Sequence, residues 1–178
     1  MMDVDTEDTI LRTYILFAQT AQAVLKYADA HLYRKARLSV VKLVALQALA
    51  SNNGVMKPSQ IAEWTYTQRH NITTLVERMR QDGLVITERD VGDKRVVRVT
   101  LTDKGWECLG RAMPVAREVV NQVMSSITEG DAALLEKSLR VLRQNACRGL
   151  ESFGFDKPCS SLPERESSVA PPTCKQRA

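Results

Sequence analysis

Two short stretches hold most of the chemically versatile side chains of this chain. The first is Gln68-Arg69-His70-Asn71, followed by Thr73, Thr74 and Arg78. These side chains carry several donors and acceptors each, and on one helix they could hydrogen-bond to base edges in a major groove. The second is "DVGDKR", Asp90 to Arg95, with Arg98 three residues further on. Gly92 permits a turn, which places Lys94 and Arg95 at or near its tip. An extended arginine fits a narrow, strongly negative groove. Asp93 lies two residues before Arg95 and can hold its guanidinium in one orientation. An exposed ion pair of this kind stabilises a fold by only about 0–1 kcal/mol, so its use is to aim the arginine. Each stretch also has a plainer reading. The first could be an ordinary solvated helix face, and the second a charged tip that keeps a sheet edge from pairing with other chains. The plainer readings account for the charge but not for the two stretches occurring one after the other.

Other chemistries find little support. No nucleophile–base grouping, phosphate loop or metal-ligand spacing is present, so an enzyme is the weakest reading and no cofactor or metal is expected. Cys108, Cys147, Cys159 and Cys174 are irregularly spaced, and the two histidines, His31 and His70, sit near none of them. Buried or idle thiols are the simplest account. Apolar residues are 44% of the 178, enough for one packed domain with an appendage. The 5% of aromatics argues against a carbohydrate or aromatic-cage binder. A net charge of +4 and a pI near 9.0 permit nucleic-acid binding without requiring it. No apolar run is long enough for a membrane span. The start "MMDVDTEDTI" is acidic where a secretory signal would be basic, so a cytoplasmic protein is expected.

The elements that would position these residues follow from periodicity. Thr9 to about Tyr33 reads as an amphipathic helix, with Ile10, Tyr14, Phe17, Ala18, Ala21, Val24, Leu25, Ala28 and Leu32 at three- and four-residue steps. Thr6, Glu7, Asp8 and Thr9 suit its start. "YRKARLS" breaks the pattern. Its basic residues Arg34, Lys35 and Arg37, with Lys42 beyond, read as solvated or facing phosphate. Ser39 caps a second helix that ends at "SNNG". A short third helix begins near Pro58 and Ser59, with Ile61 and Ala62 inward. Ser59 and Gln60 at its start could hold phosphates, or Ser59 could simply cap it. The fourth helix runs from about Gln68 to Gln81, and Gly83 stops it. Ile72, Leu75, Val76 and Met79 form its apolar stripe. Two strands, "LVITER" and "RVVRVTL", follow as a hairpin that must pack on the third and fourth helices. Arg98 could meet a phosphate or pair with Glu88 or Asp90. Thr102 caps a long helix that Pro114 should kink, and a last helix starts near Thr128 or Gly130. Residues 156–178 are rich in Pro and Ser and read as a disordered tail. The expected fold is mainly α with a small β-hairpin, a winged helix-turn-helix flanked by N- and C-terminal helices.

The stretch "DGLVITERDVGDKRVVRVTLTDKG", Asp82 to Gly105, resembles the MarR family of bacterial winged-helix regulators. The family pattern of a Gly-Leu-Val strand start falls on Gly83-Leu84-Val85. Its Asp-x-Arg wing tip falls on Asp93 and Arg95, and its Leu-Thr-x-x-Gly helix entry on Leu101-Thr102 with Gly105. "NITTLVERMRQDGLV" is similar to the family's recognition helix without a gap, and Pro114 is also similar. The likeness spans Thr9 to Leu150. Thr65 and Tyr66 stand where the family usually has a Leu-Gly-like pair, and Thr74 where it often has an arginine or a similar base-reading residue. The resemblance implies a winged helix-turn-helix over residues 39–102, with dimerisation helices over 9–34 and 103–150. It implies a homodimeric repressor on a pseudo-palindromic double-stranded operator, with recognition helices about 34 Å apart. It further implies release by a small aromatic effector bound between the two parts. Tyr14, Phe17, Tyr27, His31 and Trp106 are candidates to line that site, although core packing suits each of them better. No cysteine precedes Cys108, which argues against the peroxide-sensing branch, and two isolated histidines argue against the zinc-sensing one. The apolar residues of the end helices exceed what one small winged domain can cover, which supports a dimer independently. The competing reading is a winged-helix protein-interaction module without operator specificity.

Overall fold

The computed structural model describes residues 8–65, 69–89 and 96–153. Among these the chain forms α1 (Thr9–Ala36), α2 (Val40–Ser51), β1 (Val55–Met56), α3 (Pro58–Thr65), α4 (Arg69–Gln81), β2 (Val85–Arg89), β3 (Val97–Leu101), α5 (Asp103–Val123) and α6 (Glu129–Ser152). The architecture is mainly helical with a small antiparallel sheet, as the periodicity indicates. The tail at 156–178 and the residues Thr6 and Glu7 lie outside the described residues.

Local chemistry sets most of the boundaries. The Asp8 carboxylate accepts from the Ile10 and Leu11 amides and starts α1. That helix continues through "YRKA", where the apolar pattern fails, and stops at Arg37 in the left-handed region (φ 54). The expected break after Tyr33 is therefore corrected. Arginine, lysine and alanine keep a helix going even where no apolar face is needed. Ser39 caps α2 through the Lys42 amide, and Thr128 caps α6 through the Asp131 amide. α4 ends in a Schellman motif. The Leu84 amide donates to the Met79 carbonyl and the Gly83 amide to the Arg80 carbonyl, both at 2.9 Å, with Gly83 at φ +72. α3 begins differently from expectation. Lys57, not Ser59, occupies the cap position, since its carbonyl accepts from the Gln60 and Ile61 amides. The Gln60 side chain closes the other half of the capping box by accepting from the Lys57 amide at 2.9 Å.

The expected two-stranded hairpin is a three-stranded sheet in the order β1-β3-β2. β1 pairs Val55 with Thr100 and Met56 with Val99, and the Leu101 amide donates to the Gly54 carbonyl. "VM" is too short to show an alternation, so the sequence carried no signal for it. The register Val85↔Leu101, Thr87↔Val99 and Glu88↔Arg98 puts Val85, Val99 and Leu101 in the core. α2 is apolar on nearly every side and supplies the centre of that core with Leu43, Leu46 and Leu49. Ile61, Met79, Val85 and Val99 pack around it. Cys108 is a free buried thiol, whereas Cys147, also buried, is disulfide-bonded, so the idle-thiol reading does not extend to Cys147.

The end helices look quite different. In α1 only Leu32 is buried, and Ile10 is 82% exposed. In α6 only Cys147 is buried, and Leu134 is 68% exposed, with Leu135, Leu139, Val141 and Leu142 also open. Such a broad apolar surface on two helices is unusual for a lone chain.

α5 joins the two regions, and it does so at a close approach. Thr102 caps α5 through the Gly105 amide, and its hydroxyl donates to the Gly83 carbonyl at 2.7 Å. A Cβ on Gly105 would stand 2.2 Å from the Leu84 carbonyl oxygen and 2.9 Å from Leu101. Only glycine lets α5 start there. Gly110, one and a half turns on, has nothing within 4 Å of such a Cβ. In urea unfolding at fixed protein concentration, Gly105→Ala should therefore destabilise by about 2 kcal/mol or more. Gly110→Ala should leave stability unchanged or raise it by up to about 1 kcal/mol. Equal effects of the two substitutions would contradict this packing.

Candidate nucleic-acid interface

The apolar stripe of α4 is buried as its spacing requires: Ile72, Leu75, Val76 and Met79 all face the core. α3 packs across α4 through Ile61 and Ala62, which are also buried. This fixes which way the rest of α4 points. Asn71, Thr73, Thr74 and Arg78 are exposed on its outer side. Arg69 and His70 form its first turn, where their side chains lie outside the described atoms, and Gln68 lies outside the described residues. Ser59 and Gln60 are exposed at the start of α3, but the oxygen of the Gln60 side chain is occupied by the Lys57 amide.

The tip residues Asp93, Lys94 and Arg95, with Asp90 and Gly92, lie outside the described residues. The strands that carry them are described. Arg98 is exposed directly across from Glu88, one of the two partners its sequence position allowed. The base of the wing thus sets a carboxylate opposite a guanidinium.

Two ties were hidden in the sequence. On α4, Glu77 accepts two bonds from Arg80, both at 2.8 Å, and one from Gln81 at 3.0 Å. The Arg80 guanidinium holds the Glu77 carboxyl below its usual pKa, and Glu77 in turn raises Arg80. The two residues stand at i, i+3, a spacing that allows such a pair on a helix but does not by itself require one. The second tie joins Lys42 at the start of α2 to Asp82 at the end of α4, at 2.5 Å. No local pattern announces a contact across forty residues.

The solvated reading of the basic run holds for Arg34, Lys35 and Arg37, which are exposed, and is corrected for Lys42, which is half-buried against Asp82. Lys42 is bound to Asp82, Lys35 to Glu118, and Arg37 lies over the Tyr33 ring at 5.4 Å. The aromatic candidates are corrected as well, since the core expected to hold them does not. Tyr14, Phe17, Tyr27 and Trp106 are exposed. Trp106 lies against Gly54 beside the sheet. Tyr27 and His31 do come together, with ring centres 5.7 Å apart on the side of α1 that meets α5. There the Tyr27 hydroxyl bonds Gln122, and His31 Nε2 lies 3.2 Å from the Glu118 carboxylate that also binds Lys35. An open cleft of about 330 Å³ sits nearby, lined by Asp29, Ala30, Tyr33 and Ser39.

A helix braced by a second helix across a turn, with its outer face polar and a charged three-stranded wing beside it, defines the winged helix-turn-helix class of regulators. A model of the MarR family matches residues 38–96. The transcriptional repressor IacR of Pseudomonas putida is 32% identical over 136 residues, which is 76% of each chain. The MarR family regulator Sco3205 of Streptomyces coelicolor, solved in complex with DNA, is 27% identical. It superposes with a TM-score of 0.73 over 85% of this chain and 92% of its own. The organohalide-sensing regulator RdhR-CbdbA1625 in its 2,4-dichlorophenol-bound form is 26% identical. Its TM-score is 0.73, over 82% of this chain and 85% of its own. The chain belongs to the MarR family of transcriptional regulators.

The α1–α5 network makes a pH prediction. Lys35 first, and then His31, hold the Glu118 carboxyl below its usual pKa. Its ties therefore act fully above the ordinary carboxylate range and are lost as the pH falls through the lowered value. Acidification from neutral pH to about pH 3 should lower the melting temperature of the wild type more than that of Glu118→Gln. An equal drop in both proteins would show that Glu118 contributes nothing to the junction.

Proposed function

We propose that the protein is a homodimeric, sequence-specific DNA-binding repressor that a small molecule releases from its operator. The observation that carries this is α4, whose apolar stripe is fully used by the core while Asn71, Thr73, Thr74 and Arg78 face outward. On this reading Gln68, Arg69, His70, Asn71, Thr73 and Thr74 read base edges, and Arg78 reaches bases or phosphate. Ser59, Gln60, Lys94 and Arg98 face the backbone, Arg95 enters a minor groove, and Asp93 orients it. Residues 39–102 form the reading head. Residues 9–34 and 103–150 form the dimer contact, where a second copy covers the apolar faces of α1 and α6. Two copies present two recognition helices to a pseudo-palindromic double-stranded site.

The effector is a small aromatic compound on this reading. Binding of 2,4-dichlorophenol belongs to the regulator RdhR-CbdbA1625, and its carry-over to this chain is our inference. An effector releases DNA only by favouring a conformation that binds DNA poorly. We assign no catalytic role, in keeping with a family of regulators. We place the protein in the cytoplasm. Among the described residues no helix is long and apolar enough to cross a membrane.

Titration onto the promoter region of its own gene, and onto random DNA, at several salt concentrations tests this reading. The wild type should prefer the promoter. Arg95→Ala should weaken binding to all sequences and reduce the salt slope by about one. Asn71→Ala should instead alter the ranking of operator variants, by about 1–3 kcal/mol at the affected position. Equal affinity for promoter and random DNA would favour a protein-interaction module, and an unchanged Arg95→Ala would remove the wing from the interface.

A further inference from the structure

We propose that Asp29 is a positioning residue for DNA binding, and that it works by capping α2 from within α1. Its Oδ1 accepts from the Val40 amide at 2.6 Å, across eleven residues of sequence. Val40 is the first residue of α2, so this amide is one that the helix itself leaves without a partner. Ser39 supplies the ordinary local cap through the Lys42 amide, at a longer 3.4 Å. The start of α2 is thus held twice, once by its own chain end and once by the middle of α1. A carboxylate also suits the positive end of a helix.

The link between the two helices is built to leave few other degrees of freedom. α1 stops at Arg37 in the left-handed region, and its guanidinium lies on the Tyr33 ring. Leu38 and Leu32 are both buried. What remains adjustable is the angle of α2 about this short pivot, and Asp29 spans the pivot. α2 is the centre of the reading head, and Lys42 on its first turn ties it to Asp82 at the end of α4. α1 belongs to the apolar end surface. Asp29 is therefore the hydrogen bond that, on the α1 side and alongside the Thr102–Gly105 corner of α5, holds α2 and with it α4 relative to the dimer helices. Asp29 itself is exposed and bonds the first residue of α2, so it acts through α2. Where the consequence is stated for the operator, it rests on the DNA-binding reading above.

The test uses the full chain as its dimer. Spin labels introduced through a noncanonical amino acid at position 81, the end of α4, report the distance between the two recognition helices without DNA. The expected result is a narrow distribution for wild type and a clearly broader one for Asp29→Ala. Asp29→Asn keeps an acceptor oxygen at the same reach and should restore the narrow distribution. Affinity for the promoter fragment should fall about tenfold in Asp29→Ala and recover in Asp29→Asn, in line with the loss of a helix cap. In the wild type the Val40 amide should exchange slowly, unlike an uncapped first-turn amide. This last measurement needs no variant and stands even if Asp29→Ala does not fold. An unchanged distribution in Asp29→Ala, an Asn variant as broad as the Ala variant, or rapid exchange at Val40 would each overturn the proposal. A wild type with no preference for the promoter would instead count against the DNA-binding reading, while distances and exchange still judge Asp29.

Discussion

The arrangement depends on a single close approach, that of Gly105 to the Leu84 carbonyl. Three elements meet there: the end of α4, the start of β2 and the first turn of α5. Thr102 secures the corner by bonding both the Gly83 carbonyl and the Gly105 amide. A side chain at 105 would push α5 off this corner. α4 would then lose its fixed relation to α5. Interiors are packed closely enough that such a shift cannot be absorbed locally.

The second connection between the two regions runs through α1 and α2. It is polar where the first is steric. At its far side α1 is bound to α5 by Tyr27 with Gln122 and by His31 and Lys35 with Glu118. Each of these pairs is partly open to water, and each alone stabilises little. Their value is in direction. A hydrophobic contact tolerates sliding, whereas a hydrogen bond specifies which residues face each other. α1 therefore holds α5 and α2 in register, although only Leu32 along its length is buried.

Much of this was legible in the sequence. The helix-stopping Gly83, the caps Ser39, Thr102 and Thr128, and the stripe Ile72, Leu75, Val76 and Met79 are local signals, and the structure uses each as its chemistry suggests. Other features were not legible, for two physical reasons. β1 is two residues long, and a strand that short exists only because β3 offers it a partner. The ties Asp29–Val40, Lys42–Asp82 and Lys35–Glu118 join residues distant in sequence, so the charges looked solvated when read in order. The aromatic residues of α1 misled for a related reason. Their helical spacing signals an apolar face but does not say whether one chain or two will cover it. In the site itself, the outward direction of Asn71, Thr73, Thr74 and Arg78 could be read from the stripe, while the use of Gln60 as a capping side chain could not.

These ties also change how the positive charge should be understood. A net charge of +4 is modest for a protein that faces polyanions. Lys35, Lys42 and Arg80 each hold a carboxylate, and Arg98 faces one across the sheet, so part of the basic complement is engaged before any DNA arrives. Counterion release follows the number of phosphates a protein neutralises and not its net charge, so the placement of the remaining cations matters more than their sum. Affinity for a particular site must come from a few well-placed groups and from engaging two half-sites at once. Simultaneous engagement is sensitive to distance, because the second recognition helix profits only if it arrives in the groove one helical turn away. A protein built this way does not need an effector to cover its DNA-facing residues. A small change in the angle between α1 and α2 would be enough.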